Sequence, residues 1–251
     1  MIMAVGAKDK VVSAADFSSK IACSTCSLGQ LCLPAGLDQD DVTQFEQIVH
    51  KSRPIQPGEH LFRTGDGFTA VNAVRSGCFK SYMINEDGTE QVLGFHLPGE
   101  LIGLEAIYPE KHVANVVALS TSSVCSLQFA EVARLAGELP DLQSQLFRVM
   151  SQRISELNHI AADLTADERL AGFLLGLSQR FADRGYSPKE FNLAMSRADI
   201  ANYLRLATET VSRVLARFQK KKLIEVNRKL VKLLDLDKLN ELAGSAATFQ
   251  P

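Results

Sequence analysis

Three of the five cysteines in this 251-residue chain fall within ten positions, Cys23-Ser-Thr-Cys26-Ser-Leu-Gly-Gln-Leu-Cys32. The thiolate is both the nucleophile and the metal-binding form of cysteine. Three thiolates on one short loop can therefore converge on a metal ion or an iron-sulfur cluster. Cys125 stands far downstream within apolar Val124–Leu127, and Cys78 stands alone. An odd number of cysteines in a chain of this size points to metal binding or redox sensing rather than a disulfide framework. On residue types alone, zinc uses the C-x2-C spacing as readily as iron does, and Cys125 also reads as a plain buried cysteine.

A second constellation lies near the C-terminus. Between Arg205 and Lys232 there are nine basic residues against two acids, Glu209 and Glu225, a local charge of +7 within a chain whose net charge is −2. Such a segment faces a polyanion. Within it Glu209, Ser212 and Arg213 stand at i, i+3 and i+4, and so share one face of a helix. There an arginine can read guanine, a carboxylate can accept from cytosine, and a hydroxyl is permissive. Thr208, Thr210, Lys220, Lys221, Lys222, Arg228 and Lys229 are placed for phosphates, which position a protein on DNA without specifying sequence. The bland alternative is an i, i+4 surface ion pair between Glu209 and Arg213; the local charge and the following hairpin favour DNA.

The elements that must position these residues can be read in chain order. Asp38 caps a short helix with Val42, Phe45, Ile48 and Val49 on one face, closed by Pro54. From Ile55 to about Leu127, frequent glycines punctuate short β-branched and aromatic stretches, which predicts an antiparallel β-roll with a sharp hairpin at Asn85-Glu86-Asp87-Gly88. A helix over Phe129–Leu139 follows, and Pro140 begins a long one. On it Phe147, Met150, Ile154, Leu157, Ala161 and Leu164 recur at alternating spacings of three and four, a seam that needs a partner helix. Packing on the chain's own β-roll would satisfy it; a second copy of the helix is preferred, because most oligomers are two-fold homodimers. Thr165-Ala-Asp-Glu168 and Ser196-Arg-Ala-Asp199 have the form of capping boxes. A strand near Phe191–Met195, a helix from Thr208 to Lys221, and strands at Leu223–Val226 and Leu230–Leu234 complete a winged helix-turn-helix. The fold class is α+β, with a segment at 1–37 carrying the cysteine loop, a β-roll sensory domain at 38–139, a dimerisation helix at 140–164 and a DNA-binding domain at 165–251.

Phe95-His-Leu-Pro-Gly-Glu-Leu-Ile-Gly103, the long helix and Glu209-Thr-Val-Ser-Arg213 together resemble the CRP family of transcription regulators. The spacing Cys23-x2-Cys26-x5-Cys32 with a distant Cys125 is similar to its oxygen-sensing branch, the fumarate and nitrate reduction regulators (FNR). The resemblance implies a 4Fe-4S cluster on Cys23, Cys26, Cys32 and Cys125 that supports a homodimer in the absence of oxygen and is degraded by it. It further implies binding to inverted-repeat double-stranded DNA with TTGAT-like half-sites read by Glu209, Ser212 and Arg213. Contact with RNA polymerase through exposed β-roll loops, here including Asn85 to Thr89, is also implied, with control of genes of anaerobic metabolism. Relatives that bind cyclic AMP hold its phosphate with an arginine; the matching stretch, Glu110-Lys-His-Val-Ala-Asn115, has none, so no cyclic nucleotide is expected. The resemblance departs at Arg205, where the family turn has glycine, and at Ala207, where it has a capping serine or threonine.

The competing function is a CRP-type regulator that senses a small molecule or haem in the β-roll, its cysteines holding structural zinc. An enzyme has little support, since there is no phosphate loop, no H-E-x-x-H and no nucleophile-base pair at recognisable spacing. Residues 1–20 include Lys8, Asp9, Lys10, Asp16 and Lys20 and no long apolar run, so neither a signal peptide nor a membrane span is expected, and the chain is assigned to the cytoplasm.

Overall fold

The computed structural model describes residues 11–13, 16–20, 22–160 and 164–244, with side chains at 18–20 and 156–160 left aside. The glycine-punctuated stretch forms two antiparallel sheets. One has the order β1 (Phe17–Lys20), β2 (Val49–Ser52), β9 (Ser123–Gln128), β4 (Ala70–Ser76), β7 (Leu101–Ile102); the other runs β3 (His60–Phe62), β8 (Asn115–Ala118), β5 (Phe79–Ile84), β6 (Glu90–His96). Ile55, Phe62, Val74, Phe79, Val116 and Val124 are buried together between them. The hairpin at Asn85–Gly88 joins β5 to β6 as its turn residues predict, with Gly88 at φ +81° and the Asp87 carboxylate accepting from the Thr89 N–H at 2.9 Å.

α1 (Gln39–Glu46) is capped by Asp38, whose carboxylate accepts from the Asp41 N–H at 2.9 Å. The helix is shorter than its apolar periodicity predicts. It stops at Glu46, and Val49, expected on its buried face, instead opens β2 opposite Leu127 of β9. Pairing of a β-branched residue with a buried strand overrides the local period, and Pro54 ends β2 rather than the helix.

α2 (Phe129–Glu138) and α3 (Pro140–Ile160) follow β9 directly. The first half of α3 has two apolar faces. Leu142, Leu146 and Val149 pack with Leu33, Phe45, Leu127 and Leu135, in the cluster against which Cys23, Cys32 and Cys125 also lie. The predicted seam faces elsewhere: Phe147, Met150 and Ile154 are 63 %, 41 % and 61 % exposed. The seam is thus not satisfied by the chain's own β-roll. Ala161 lies outside the described residues, as does the Leu157 side chain, and Leu164 lies past Ile160 in coil.

α4 (Ala166–Asp183), β10 (Glu190–Asn192), α5 (Arg197–Tyr203), α6 (Thr208–Lys220), β11 (Ile224–Asn227), β12 (Leu230–Leu233) and α7 (Leu236–Ala243) form the C-terminal unit, with a β10-β12-β11 sheet as the wing. Both capping boxes form, at Thr165 with Glu168 and at Ser196 with Asp199. Among the described residues no helix is long and apolar enough to cross a membrane.

Candidate functional site

The cysteine loop is built from consecutive tight turns. The Cys26 N–H donates to the Cys23 carbonyl, the Gly29 N–H to Cys26 and the Cys32 N–H to Leu28, each at 3.0 Å. Two contacts fasten it. The Glu46 carboxylate at the end of α1 accepts the Ser24 N–H at 2.7 Å. On the other side Gly99, at φ +93°, lets the turn before β7 approach so closely that an added Cβ would sit 2.9 Å from the Leu31 Cβ.

These contacts place the loop over β4 and β9. Cys23, Cys26, Cys32 and Cys125 line one cavity of about 30 Å³ with Ala73, Phe45, Leu127 and Arg75. Cys125 sits on β9 directly opposite Ala73 of β4. Cys78 is elsewhere: it precedes β5, is buried, and belongs to the cluster joining β6 to the C-terminal unit. The structure therefore brings together the four cysteines expected to act together and separates the fifth.

Burial pushes the Cys23 thiol up to about 12, helped by Cys125, Glu46 and Cys26 and opposed by Arg75. Burial does the same to Cys32, also to about 12. Cys125 is raised by burial and held back by the Arg75 guanidinium. Cys23, Cys32 and Cys125 are thus held in the thiol form as they stand, and binding a metal through them must release their protons. Among the described residues no three His, Cys, Asp or Glu side chains are grouped closely enough to hold a metal ion as placed.

The donor set nonetheless suits an iron-sulfur cluster. It comprises four soft sulfurs and, in the same cavity, the buried Arg75 Nη1, the one shielded side-chain nitrogen or oxygen without a hydrogen-bond partner among the described residues. As it stands, this cavity of about 30 Å³ has room for little more than a water or two.

The second site is the exposed face of α6. Val211, Val214, Leu215 and Phe218 are buried, which turns Glu209 and Arg213 to solvent and leaves Ser212 between them half-buried. Thr208 and Lys220 are exposed and Thr210 is half-buried. Glu209 and Arg213 form no salt bridge with each other among the described residues, so the bland alternative is not realised. The turn before α6 departs from ideal geometry as its residues imply: Arg205 adopts φ +55°, and Ala207 caps the helix with no side-chain bond. Arg217, one turn beyond Arg213 on α6, pairs with Asp167 of α4, tying the helix to its own domain.

Sequence reasoning missed the contacts between the β-roll and the C-terminal unit. Glu100 accepts from Nη2 of Arg180 in α4 and Nη2 of Arg184 at its C-terminal cap, both at 2.7 Å, and lies 3.6 Å from Arg153 of α3. Burial would raise this carboxyl, but Arg180, Arg153 and Arg184 outweigh burial and hold it at about 2. Nearby, His96 is driven down to about 3 by burial and by Arg153, so its ring is neutral; it hydrogen-bonds the Ser81 hydroxyl at 2.9 Å. Asn202 of α5 continues the contact, accepting from the Val92 N–H and donating to the Glu90 carbonyl, each at 2.7 Å. An arginine or amide at helical spacing gives no sign of such a partner in sequence, whereas the Pro98-Gly99-Glu100 turn did stand out.

Comparison with known proteins agrees with this division. Residues 168–242 match the Crp-like helix-turn-helix domain, and residues 52–138 match the cyclic nucleotide-binding domain. The chain is 48 % identical over 227 residues to the transcriptional activator protein Anr of Pseudomonas protegens, covering 89 % of this chain and 93 % of that protein. It is 44 % identical to the fumarate and nitrate reduction regulatory protein of Escherichia coli K12, covering 89 % and 91 %. Among solved structures, FixK2 from Bradyrhizobium japonicum superposes with a TM-score of 0.70 at 26 % identity, over 78 % of this chain and 97 % of that one. With a β-roll, an exposed recognition helix and relatives of this closeness that are regulators rather than enzymes, the chain belongs to the FNR branch of the CRP/FNR family of DNA-binding transcription regulators.

Proposed function

We propose that the protein is an oxygen-responsive regulator that holds a 4Fe-4S cluster on Cys23, Cys26, Cys32 and Cys125 and binds inverted-repeat DNA as a homodimer to control genes of anaerobic metabolism. The observation that carries this reading is the meeting of four cysteines from two distant segments around one cavity while Cys78 stays apart. When bound, such a cluster supplies an oxygen-labile centre whose loss frees its cysteines.

The chain's own residues provide the transmission. Cys125 lies on β9, which runs straight into α2 and then α3, so the fourth sulfur sits at the base of the helix that carries Phe147, Met150 and Ile154. Holding Cys23, Cys26 and Cys32 against Cys125 fixes the loop to the cluster of residues on which α3 packs. Releasing them slackens that support, and with it the geometry of the exposed seam through which two copies associate. Glu209, Ser212 and Arg213 of the paired α6 helices then read TTGAT-like half-sites, with Thr208, Thr210 and Lys220 on phosphates. The exposed Asn85–Thr89 hairpin is offered to RNA polymerase.

No cyclic nucleotide is required. The stretch Glu110–Asn115 lacks arginine, and its His112 is committed to stacking on Phe62 at 3.5 Å and to a 3.2 Å bond with Glu105. Anaerobic purification should yield a brown protein with about four irons per chain, bleached by air with loss of specific DNA binding. A colourless protein holding one zinc per chain rejects the proposal in favour of a structural metal site.

A further inference from the structure

We infer that Arg75 is the charge partner of the cluster, donating its buried Nη1–H to a cluster sulfur. The inference rests on the cluster reading above. Arg75 belongs to β4, two residues from Ala73, at the irregularity in the β4–β9 pairing between Val74 and Ser76. Ala73 is directly opposite Cys125, and both residues line the cysteine cavity with Arg75. The Arg75 Nη1 is shielded from water and has no acceptor. A buried N–H left unmade is costly and is rare in folded chains.

The neighbours show which acceptor would serve the remaining Nη1–H. The Arg75 guanidinium bonds the Cys125 side chain, its Nη1 has no partner, and the other polar side chains lining the cavity are Cys23, Cys26, Cys32 and Cys125. Glu46 is already turned to the Ser24 N–H. A cubane held by four thiolates carries a net charge of about −2 in its oxidised form, and its sulfurs accept hydrogen bonds. Arg75 supplies the matching cation and the donor, and is not needed to pair with a protein carboxylate.

Cluster potential is set by net charge and by hydrogen bonds to sulfur. One-electron reduction adds a negative charge beside Arg75, so Arg75 favours the reduced form. Removing it makes reduction harder. The full-length protein is reconstituted without oxygen from ferrous iron and sulfide, and the wild type is compared with Arg75→Met and Arg75→Lys. Iron and sulfide are counted per chain, folding is followed by circular dichroism, and the potential is read by dye-mediated titration.

For Arg75→Met the reduced-to-oxidised ratio at a fixed potential is expected to fall about tenfold, equivalent to about 59 mV for one electron. Arg75→Lys, which keeps the charge but not the planar second N–H, should recover part of that shift. A folded Arg75→Met protein with full iron and an unchanged potential overturns the inference. If Arg75→Met does not fold, Arg75→Lys decides, because a wild-type potential there rejects the hydrogen bond. Failure of the wild type itself to take up iron and sulfide overturns the cluster reading, and this inference with it, and is distinguishable because it precedes any comparison of variants.

Discussion

The Lys80 Nζ lies 2.8 Å from the Asp199 Oδ1, while the other oxygen of the same carboxylate closes the capping box of α5 by accepting from the Ser196 N–H at 2.9 Å. One carboxylate therefore caps the first helix of the helix-turn-helix and docks that helix on the β-roll. Lys80 also reaches the Glu90 Oε1 at 2.7 Å, so a largely buried ammonium has two carboxylate partners. A double-mutant cycle with Lys80→Met and Asp199→Asn should show a coupling of about 1 to 2 kcal/mol in urea unfolding. Additivity within about 0.3 kcal/mol would show that the domains do not rely on this contact.

The Glu100 clasp gives the domain contact an acid limit. Its folded carboxyl titrates at about 2, below its ordinary value of 4.5, because Arg180, Arg153 and Arg184 together outweigh the cost of burial. The unfolded chain thus binds the proton more readily. The stabilisation is complete above about pH 4.5 and is lost as pH falls through 2. Allowing for partial exposure, it is worth about 2 kcal/mol. Equilibrium unfolding between pH 5 and 3 should therefore be less steeply pH-dependent in Glu100→Gln than in the wild type; equal slopes would place the acid sensitivity elsewhere.

On the recognition helix, Arg213 is exposed and free of its i−4 neighbour Glu209. Arg213→Ala should cost about 1 to 3 kcal/mol on the best site and relax base preference at one position of each half-site. Binding measured against a panel of single-base variants checks this. A uniform loss on every sequence, with a shallower salt dependence, would instead put Arg213 on a phosphate.

Where local chemistry decides structure, the sequence was a sufficient guide. Thr165 with Glu168 and Ser196 with Asp199 form their caps from residues three apart, and Asn85–Gly88 turns because of its own side chains. Long-range pairing decided the rest. Val49 follows a helical period yet pairs with β9, and the partners of Glu100 lie at positions 153 and 180 on helices and at the cap residue 184, which no local pattern connects to it. The three loop cysteines stood out because thiolate spacing carries chemistry by itself, whereas Cys125 was joined to them by the family resemblance, and it lines the same cavity. Arg75 was not, since an arginine after a run of strand residues reads as surface until burial of its Nη1 is seen.

The exposed seam on α3 makes the last prediction. Phe147, Met150 and Ile154 leave the helix at spacings of three and four on a face that the β-roll does not cover, while Leu142, Leu146 and Val149 anchor the adjacent face. Two copies meeting along this seam bury Ile154 near its counterpart, so Ile154→Glu sets two carboxylates against each other in a dehydrated interface. The dissociation constant should rise at least about a hundredfold, equivalent to about 2.7 kcal/mol. Thermal stability of the chain should change little, because the side chain is already exposed in it. Ser155→Glu adds the same charge about a quarter-turn away and should leave association intact. Sedimentation of the anaerobically reconstituted protein distinguishes the cases: a dimer that survives Ile154→Glu would show that association uses a different face.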